Sequence, residues 1–178
     1  TTDDYQSDFR NLSLRIMEAG DFADWTQVYK KLVYWNLELG HASDANLKEV
    51  HKQQETEANQ LFSRYISKNY AGWLAKPDDK DPLLSNELLS RKVFPLLRKG
   101  EKVFMILVDN MRYDQWRLIY TEMNRIFRLR EEVMYCSILP TATQYARNAL
   151  FSGMMPLEIE KKYPQYWVNE EEEGSKNR

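Results

Sequence analysis

The spacing of the apolar residues changes near the middle of the chain, and this change restricts the folds that are possible. In residues 1–76 apolar side chains recur at every third or fourth position, as on one face of an amphipathic helix. From Val103 to Val108 they form a continuous run that ends at Asp109. Such a run is typical of a strand that is buried on both faces of a parallel sheet. We therefore predict an α + α/β chain, in which an antiparallel helical bundle is followed by a parallel sheet.

Three amphipathic helices are predicted in residues 1–76, and their short connections should make neighbouring helices antiparallel. The first ends at Gly20, the second begins after Asp21, and the third begins at Ser43 or Asp44. The second helix carries a heptad-like stripe, which fits a bundle core and a homodimer seam about equally well: Trp25, Val28, Leu32, Trp35 and Leu39. Both histidines, His41 and His51, are expected at the surface.

Two prolines, Pro77 and Pro82, lie in a charged segment that no helix is expected to cross. They divide the chain into a predicted helical bundle at 1–76, a linker at 77–82 and an α/β domain at 83–178.

Within the α/β domain the order of predicted elements is the main guide to the fold. A helix is expected from Ser85 or Asn86 to Arg98, bent or ended by Pro95. The first strand, at 102–108, is then followed by a helix at 112–126, a strand at 133–139, and a helix that begins near Thr143 and stops at Gly153. This alternation predicts the first βαβα part of a parallel sheet.

Composition excludes several classes of protein. The chain has 25 basic and 27 acidic side chains, so it lacks the basic excess that direct DNA binding requires. It has no apolar run near the roughly 18 residues that a membrane span needs. One cysteine and two histidines are too few for a Cys/His zinc cluster, and a lone Cys136 fits the reducing cytoplasm.

Polar residues follow both predicted strands at the edge of the sheet where ligands usually bind. Asp109 comes directly after the first strand, and Thr141 and Thr143 follow the second, at the start of a helix. A helix start suits a phosphate, and a carboxylate with a hydroxyl can share a metal ion that activates the hydroxyl as a nucleophile. Taken singly, each residue has an ordinary explanation as a helix cap, a turn former or part of a surface ion pair.

Two longer segments resemble the alkaline phosphatase superfamily. The segment 108–114 is similar to its first metal-ligand segment, Asp-Gly-x-Arg-x-Asp, with Asn110 where Gly is commoner. The segment 139–153 resembles its nucleophile segment, in which a Pro-x-x-Thr turn precedes a helix closed by Gly. The Arg-Tyr-Asp and Ala-Arg-Asn-Ala details are closest to the PglZ branch. The helical front, through the segments 32–39 (Leu-Val-Tyr-Trp-Asn-Leu-Glu-Leu) and 57–59 (Glu-Ala-Asn), resembles a class of response regulators. These carry a receiver domain before such a region and a PglZ domain after it, and they are associated with type IX secretion.

The resemblance implies a zinc-dependent phosphodiesterase or phosphatase with two zinc ions. By this resemblance Asp109 would be a zinc ligand, and Thr143 would be the nucleophile and would contact the metal. Arg147 or Asn148 would hold a phosphate oxygen, and one further pair would brace the Asp109 loop: Arg112 and Asp114. The implied substrates are phosphate esters, including phosphodiesters in oligonucleotides, and the implied partners are a sensor kinase and the transcription machinery.

The metal site implied by the resemblance is incomplete in this sequence. The family's other ligands are Asp and His residues, whereas after Thr143 this chain has no Asp or His and only Glu158, Glu160 and the acidic tail 170–173. We therefore expect the middle of a larger protein, with zinc bound weakly or not at all and little activity in isolation. The alternative is a non-catalytic module in which the helical front dimerises or relays a signal to protein partners.

Overall fold

The computed structural model describes residues 2–40, 44–76, 78 and 80–167. It divides into two compact units: unit 1 comprises 1–81 with 108–132, and unit 2 comprises 82–107 with 133–178. The α-helices, in chain order, are α1 (Thr2–Glu18), α2 (Phe22–Gly40), α3 (Ala45–Ala75), α4 (Phe94–Arg98), α5 (Tyr113–Ile126), α6 (Thr143–Ser152) and α7 (Pro156–Lys162). The division of the chain into domains at 1–76, 77–82 and 83–178 stays a prediction.

The helical bundle predicted at the front of the chain is confirmed by α1, α2 and α3. Two of its helix starts are fixed by the aspartates that the sequence pointed to. The Asp44 carboxylate accepts hydrogen bonds from the backbone N–H groups of Asn46 and Leu47, at 3.0 and 3.2 Å. At the start of α2, the Asp24 N–H donates to the Asp21 carboxylate at 2.9 Å. These bonds satisfy N–H groups that have no partner inside the helix.

The apolar stripe of α2 lies in the core of the bundle. Its five residues are 7% exposed or less, and they belong to one cluster with buried residues of the neighbouring helices: Tyr5, Leu12 and Ile16 of α1, and Leu47 and Ala58 of α3. The stripe is therefore covered within a single chain, which favours the bundle-core interpretation over the dimer seam. A homodimer through the helical region stays a prediction.

The expectation that His51 lies at the surface is wrong, because this residue is only 4% exposed. Along α3 the buried positions are Leu47, His51, Gln54 and Ala58, which are separated by four, three and four residues. This spacing places His51 on the face of α3 that packs against the bundle, despite its polar side chain. His41 lies outside the described residues.

The predicted sheet is not present among the described residues, although the segments 102–108 and 133–139 are both described there. In the first segment Phe104 is 93% exposed and Ile106 is 81% exposed, which is the opposite of a strand buried on both faces. A strand forms only where a neighbouring backbone completes its hydrogen bonds. The described residues give the segment 102–108 no such neighbour.

The second predicted strand makes a single parallel bridge, and it does so with residues that precede the predicted helix. Leu84 bridges to Cys136, the Cys136 N–H donates to the Leu83 carbonyl at 2.9 Å, and the Ser85 N–H donates to the Cys136 carbonyl at 2.9 Å. The Ser85 hydroxyl then accepts the N–H of Ile138, which is fully buried, at 3.1 Å. This bridge is the part of a parallel sheet that the described residues contain.

The helix predicted at 85–98 is interrupted. It consists of a 3-10 turn at Ser85–Glu87, a π-helical turn at Leu89–Val93 and then α4, whose second residue is Pro95. Pro95 has no N–H to donate to the preceding turn, so it is tolerated in the first turn of an α-helix but not further inside one. Across the described part of the chain, no helix is both long and apolar enough to cross a membrane.

Candidate functional site

The Asp109 loop precedes α5 in unit 1. Asp109 is exposed, and its carboxylate accepts the N–H of Asn110 at 2.9 Å. Asn110 has a φ of +56°, in the left-handed region that L residues seldom occupy. Asparagine tolerates this conformation better than most residues other than glycine. The geometry therefore explains why Asn can stand at the position where the superfamily commonly has Gly.

Arg112 and Asp114 form a bidentate ion pair next to this loop. The Arg112 Nε donates to one carboxylate oxygen at 3.0 Å and Nη2 to the other at 2.9 Å. The Arg112 backbone N–H donates to the Gln115 side chain at 3.0 Å, which closes the first turn of α5. The hydrogen bond from Arg112 lowers the pKa of Asp114, and the same bond raises the pKa of Arg112. The pair therefore keeps both charges and stiffens the start of the helix.

Glu132 holds α5 against the helical bundle, and sequence reasoning missed it. Its carboxylate accepts hydrogen bonds from the Tyr113 hydroxyl at 3.1 Å and the Trp116 Nε1 at 3.2 Å, and it pairs with the Lys30 ammonium at 2.8 Å. The Tyr29 and Tyr113 rings lie 5.7 Å apart. Burial alone would raise the pKa of Glu132, but hydrogen bonds from Lys30 and Trp116 lower it below its usual range. No local pattern signals these contacts, because the partners are far apart in the sequence.

Thr143 is the first residue of α6 in unit 2, and it is half-buried. The cap position belongs to Ala142, whose carbonyl accepts the N–H groups of Tyr145 and Ala146 at 3.0 and 2.9 Å. Thr143 is therefore inside the first turn rather than at the cap. Arg147 lies one turn further along the helix and is half-buried.

The remainder of α6 matches the sequence prediction. The helix ends at Gly153, whose φ of +70° is the left-handed conformation that glycine adopts without strain. Ala149 and Leu150 are buried, and α6 packs against the 3-10 turn at Ser85–Glu87. Asn148, which directly precedes these two buried residues, is exposed. The helix is thus anchored by its apolar face.

The predicted site residues fall into two sets. Asp109, Arg112 and Asp114 belong to unit 1, whereas the others belong to unit 2: Thr143, Arg147 and Asn148. The structure brings Arg112 and Asp114 into direct contact and sets Thr143 and Arg147 on successive turns of one helix. That Asp109 and Thr143 share one site stays a prediction.

The described residues do not by themselves fit a catalytic zinc site. Among them no group of three or more His, Cys, Asp and Glu side chains is placed to hold a metal ion. Catalytic zinc usually takes three protein ligands, so Asp109 and a threonine fall short. Cys136 does not fill the gap, because burial raises the pKa of its thiol to about 11 and keeps it protonated.

Two models of known families match the chain. The model described as the PorX response regulator linker domain matches residues 1–74. The model described as the BREX system PglZ alkaline phosphatase-like domain matches residues 88–178, which is half of the chain. No curated protein matches it. The first match spans α1 to α3, and the second includes the Asp109 loop, α5 and α6.

Proposed function

We propose that this chain, which belongs to the PglZ alkaline phosphatase-like family and begins with a PorX response regulator linker domain, contributes part of a site that hydrolyses phosphate esters. The observation that carries this proposal is the placement of Thr143 inside the first turn of α6, within the region of the PglZ match. A hydroxyl there stands beside the positive end of the helix, where a phosphate group is stabilised.

In the proposed reaction the Thr143 oxygen attacks phosphorus. A new bond forms between Oγ1 and phosphorus while the bond from phosphorus to the leaving alkoxide breaks. The hydroxyl proton passes to solvent or to the leaving group. Water then hydrolyses the phosphothreonine and releases phosphate or a phosphomonoester. The backbone N–H groups of the first helical turn would stabilise negative charge on the phosphate oxygens during both steps. Arg147, one turn along, would hold a phosphate oxygen, and Asn148 is a weaker candidate for the same role.

The family is often metal-dependent, and we assign Asp109 as a ligand of one of its two zinc ions. Arg112 and Asp114 would brace the loop that presents this carboxylate. Because the described residues do not supply a full ligand set, the remaining ligands would come from residues other than these. Zinc is then expected to bind this chain weakly, and the chain alone is expected to turn over little substrate.

The linker match supports a regulatory setting for this chemistry. We propose a cytoplasmic response regulator connected with type IX secretion, whose output domain acts on phosphodiesters such as those in oligonucleotides. Its partners would be a sensor kinase and the transcription machinery, without direct DNA contact, and the helical region would form a homodimer. The alternative is a non-catalytic relay through α1, α2 and α3, whose buried residues form one core cluster.

Hydrolysis of bis(p-nitrophenyl) phosphate with added zinc tests the proposal. The assay compares this chain, a longer protein that carries it together with downstream residues, and two variants of the longer protein. Thr143→Ala is expected to abolish turnover, whereas Thr141→Ala, the matched control two residues earlier, should retain it. Turnover by Thr143→Ala equal to that of the control would exclude Thr143 as the nucleophile. The relay would then be the leading function.

A further inference from the structure

We propose that Tyr29 and Lys30 of α2 are positioning residues that hold the Asp109 loop through α5. Together with Tyr113 and Glu132 they form what we call the α2–α5 clamp. The importance of the loop rests on the proposed function, but the mechanical link rests only on contacts within unit 1.

The clamp is a closed ring of side-chain contacts. The Tyr29 ring packs on the Tyr113 ring at 5.7 Å, the Tyr113 hydroxyl donates to Glu132 at 3.1 Å, and Glu132 pairs with Lys30 at 2.8 Å. Tyr29 and Lys30 are adjacent in α2, so the ring returns to its starting point. Two contacts from neighbouring residues hold an attached segment in both position and orientation, which a single ion pair does not do.

The clamp contacts the chain close to Asp109, the residue predicted to bind zinc. Tyr113 is the first residue of α5 and lies four positions after Asp109. Burial and the Asp114 carboxylate raise the pKa of Tyr29, and the Arg112 guanidinium opposes this rise, so the Tyr29 hydroxyl lies in the field of that ion pair. A displacement of α2 would therefore be transmitted to the start of α5, and from there to the Asp109 loop.

The clamp also joins the two matched regions of the chain. Tyr29 and Lys30 lie in the region of the PorX linker match, whereas Tyr113 and Glu132 lie in the region of the PglZ match. The clamp is thus a direct side-chain route by which a rearrangement of the linker helices would reach the output domain. Coupling of this kind requires a contact whose geometry depends on both elements.

The clamp is outside the core of the bundle, so it can loosen without unfolding the bundle. Tyr29 is 45% exposed, and the Lys30 and Glu132 side chains are 31% and 23% exposed. The neighbouring Val28 and Leu32 instead face the core, at 2% and 7% exposed. A purely structural role and a positioning role therefore predict different patterns of local opening.

Amide hydrogen exchange on the full 178-residue chain separates these roles. Lys30→Met removes the charge and keeps most of the length of the side chain, whereas Lys30→Arg keeps the charge and hydrogen-bond donors. Arg125→Met is the matched control, since it breaks an ion pair with Glu122 at 2.8 Å on an exposed face of α5. Lys30→Met is expected to speed exchange in residues 110–116 about tenfold, from the loss of one charged hydrogen bond.

Exchange in α3 should stay unchanged in Lys30→Met, and both Lys30→Arg and Arg125→Met should behave as the parent chain does. The double variant with Lys30→Met and Glu132→Gln should speed exchange at 110–116 no more than the more disruptive single variant does, because both changes remove the same ion pair. Unchanged exchange at 110–116, an equal increase throughout α3, or an equal effect of Arg125→Met would overturn the clamp. Hydrogen exchange is measured without catalysis. A protein that hydrolyses no phosphodiester but shows this exchange pattern would therefore contradict only the proposed function.

Discussion

Truncation of Leu32 distinguishes a bundle core from a dimer seam. Leu32 of α2 is 7% exposed and belongs to the buried cluster that α1, α2 and α3 share, together with Val28 and Trp35. Leu32→Ala removes buried apolar surface and leaves a cavity that large neighbours fill poorly. Together these effects should lower the free energy of unfolding by about 2–5 kcal/mol. A domain typically has about 5–15 kcal/mol of stability, so the variant should fold with a clearly lower midpoint.

The assay is urea denaturation followed by far-ultraviolet circular dichroism, with sedimentation to report the oligomeric state. Leu14→Ala is the matched control, because Leu14 is an α1 leucine that is 50% exposed, and its cost should stay within about 0.5 kcal/mol. Leu32→Glu should unfold the bundle, because it places an unpaired charge in the core. If Leu32→Ala and Leu14→Ala cost the same, or if Leu32→Glu dissociates a dimer while the helices persist, the stripe is a seam and this reasoning is refuted.

Three further predictions concern buried or strained positions. Gln54→Leu leaves the buried Tyr5 hydroxyl without the acceptor to which it donates at 2.9 Å. The free energy of unfolding, measured by urea titration, should fall by about 1–3 kcal/mol, and adding Tyr5→Phe to the same chain should recover part of this loss. Burial lowers the pKa of His51 below 6.5, and this effect outweighs the opposite effect of the Glu55 carboxylate. As the pH falls below 6.5, His51 therefore becomes protonated in the unfolded chain while it stays neutral in the folded chain. Stability measured across pH should therefore fall on the acid side and do so less in His51→Phe. Asn110→Ala should cost about 1 kcal/mol by thermal melting, and Asn110→Gly should cost less, because only alanine strains a φ of +56°.

Local signals predicted the helices well because short segments carry the information. The three-and-four spacing of α2 and the carboxylate of Asp44 are each contained within one or two turns, as is the glycine that ends α6. The spacing of α3 also carried a signal that was missed. His51 and Gln54 continue the stripe that Leu47 begins, so their spacing indicates burial, whereas their polar side chains favour exposure.

Contacts between distant segments were not predictable in the same way. The apolar run 102–108 has the composition of a buried strand, but composition does not name the strand that must pair with it. The segment 133–139 does find a parallel partner at Leu84, and the bridge is reinforced by hydrogen bonds with Ser85, a residue that the pattern assigned to a helix start. The link between Lys30 and Glu132 depends likewise on how α5 packs against α2.

Of the candidate site, the residue types and their local placement came from the sequence. Asp109 follows the apolar run, and Thr143 begins a helix, as the motif resemblance implied. The ion pair between Arg112 and Asp114 is also local, since the two residues are two positions apart in the sequence. That they share one site with Thr143 stays a prediction, because a pattern of residues along one chain does not define long-range contacts.

The most direct test of the central claim is to trap the covalent intermediate. The longer protein would be incubated with zinc and a phosphodiester, quenched in acid, digested and analysed by mass spectrometry for threonine that carries the phosphoryl group together with the substrate's second ester group. We expect this adduct on Thr143, none on Thr141, and loss of the signal in Thr143→Ala. Turnover without this adduct on Thr143, or the adduct on Thr141 instead, would contradict the central claim.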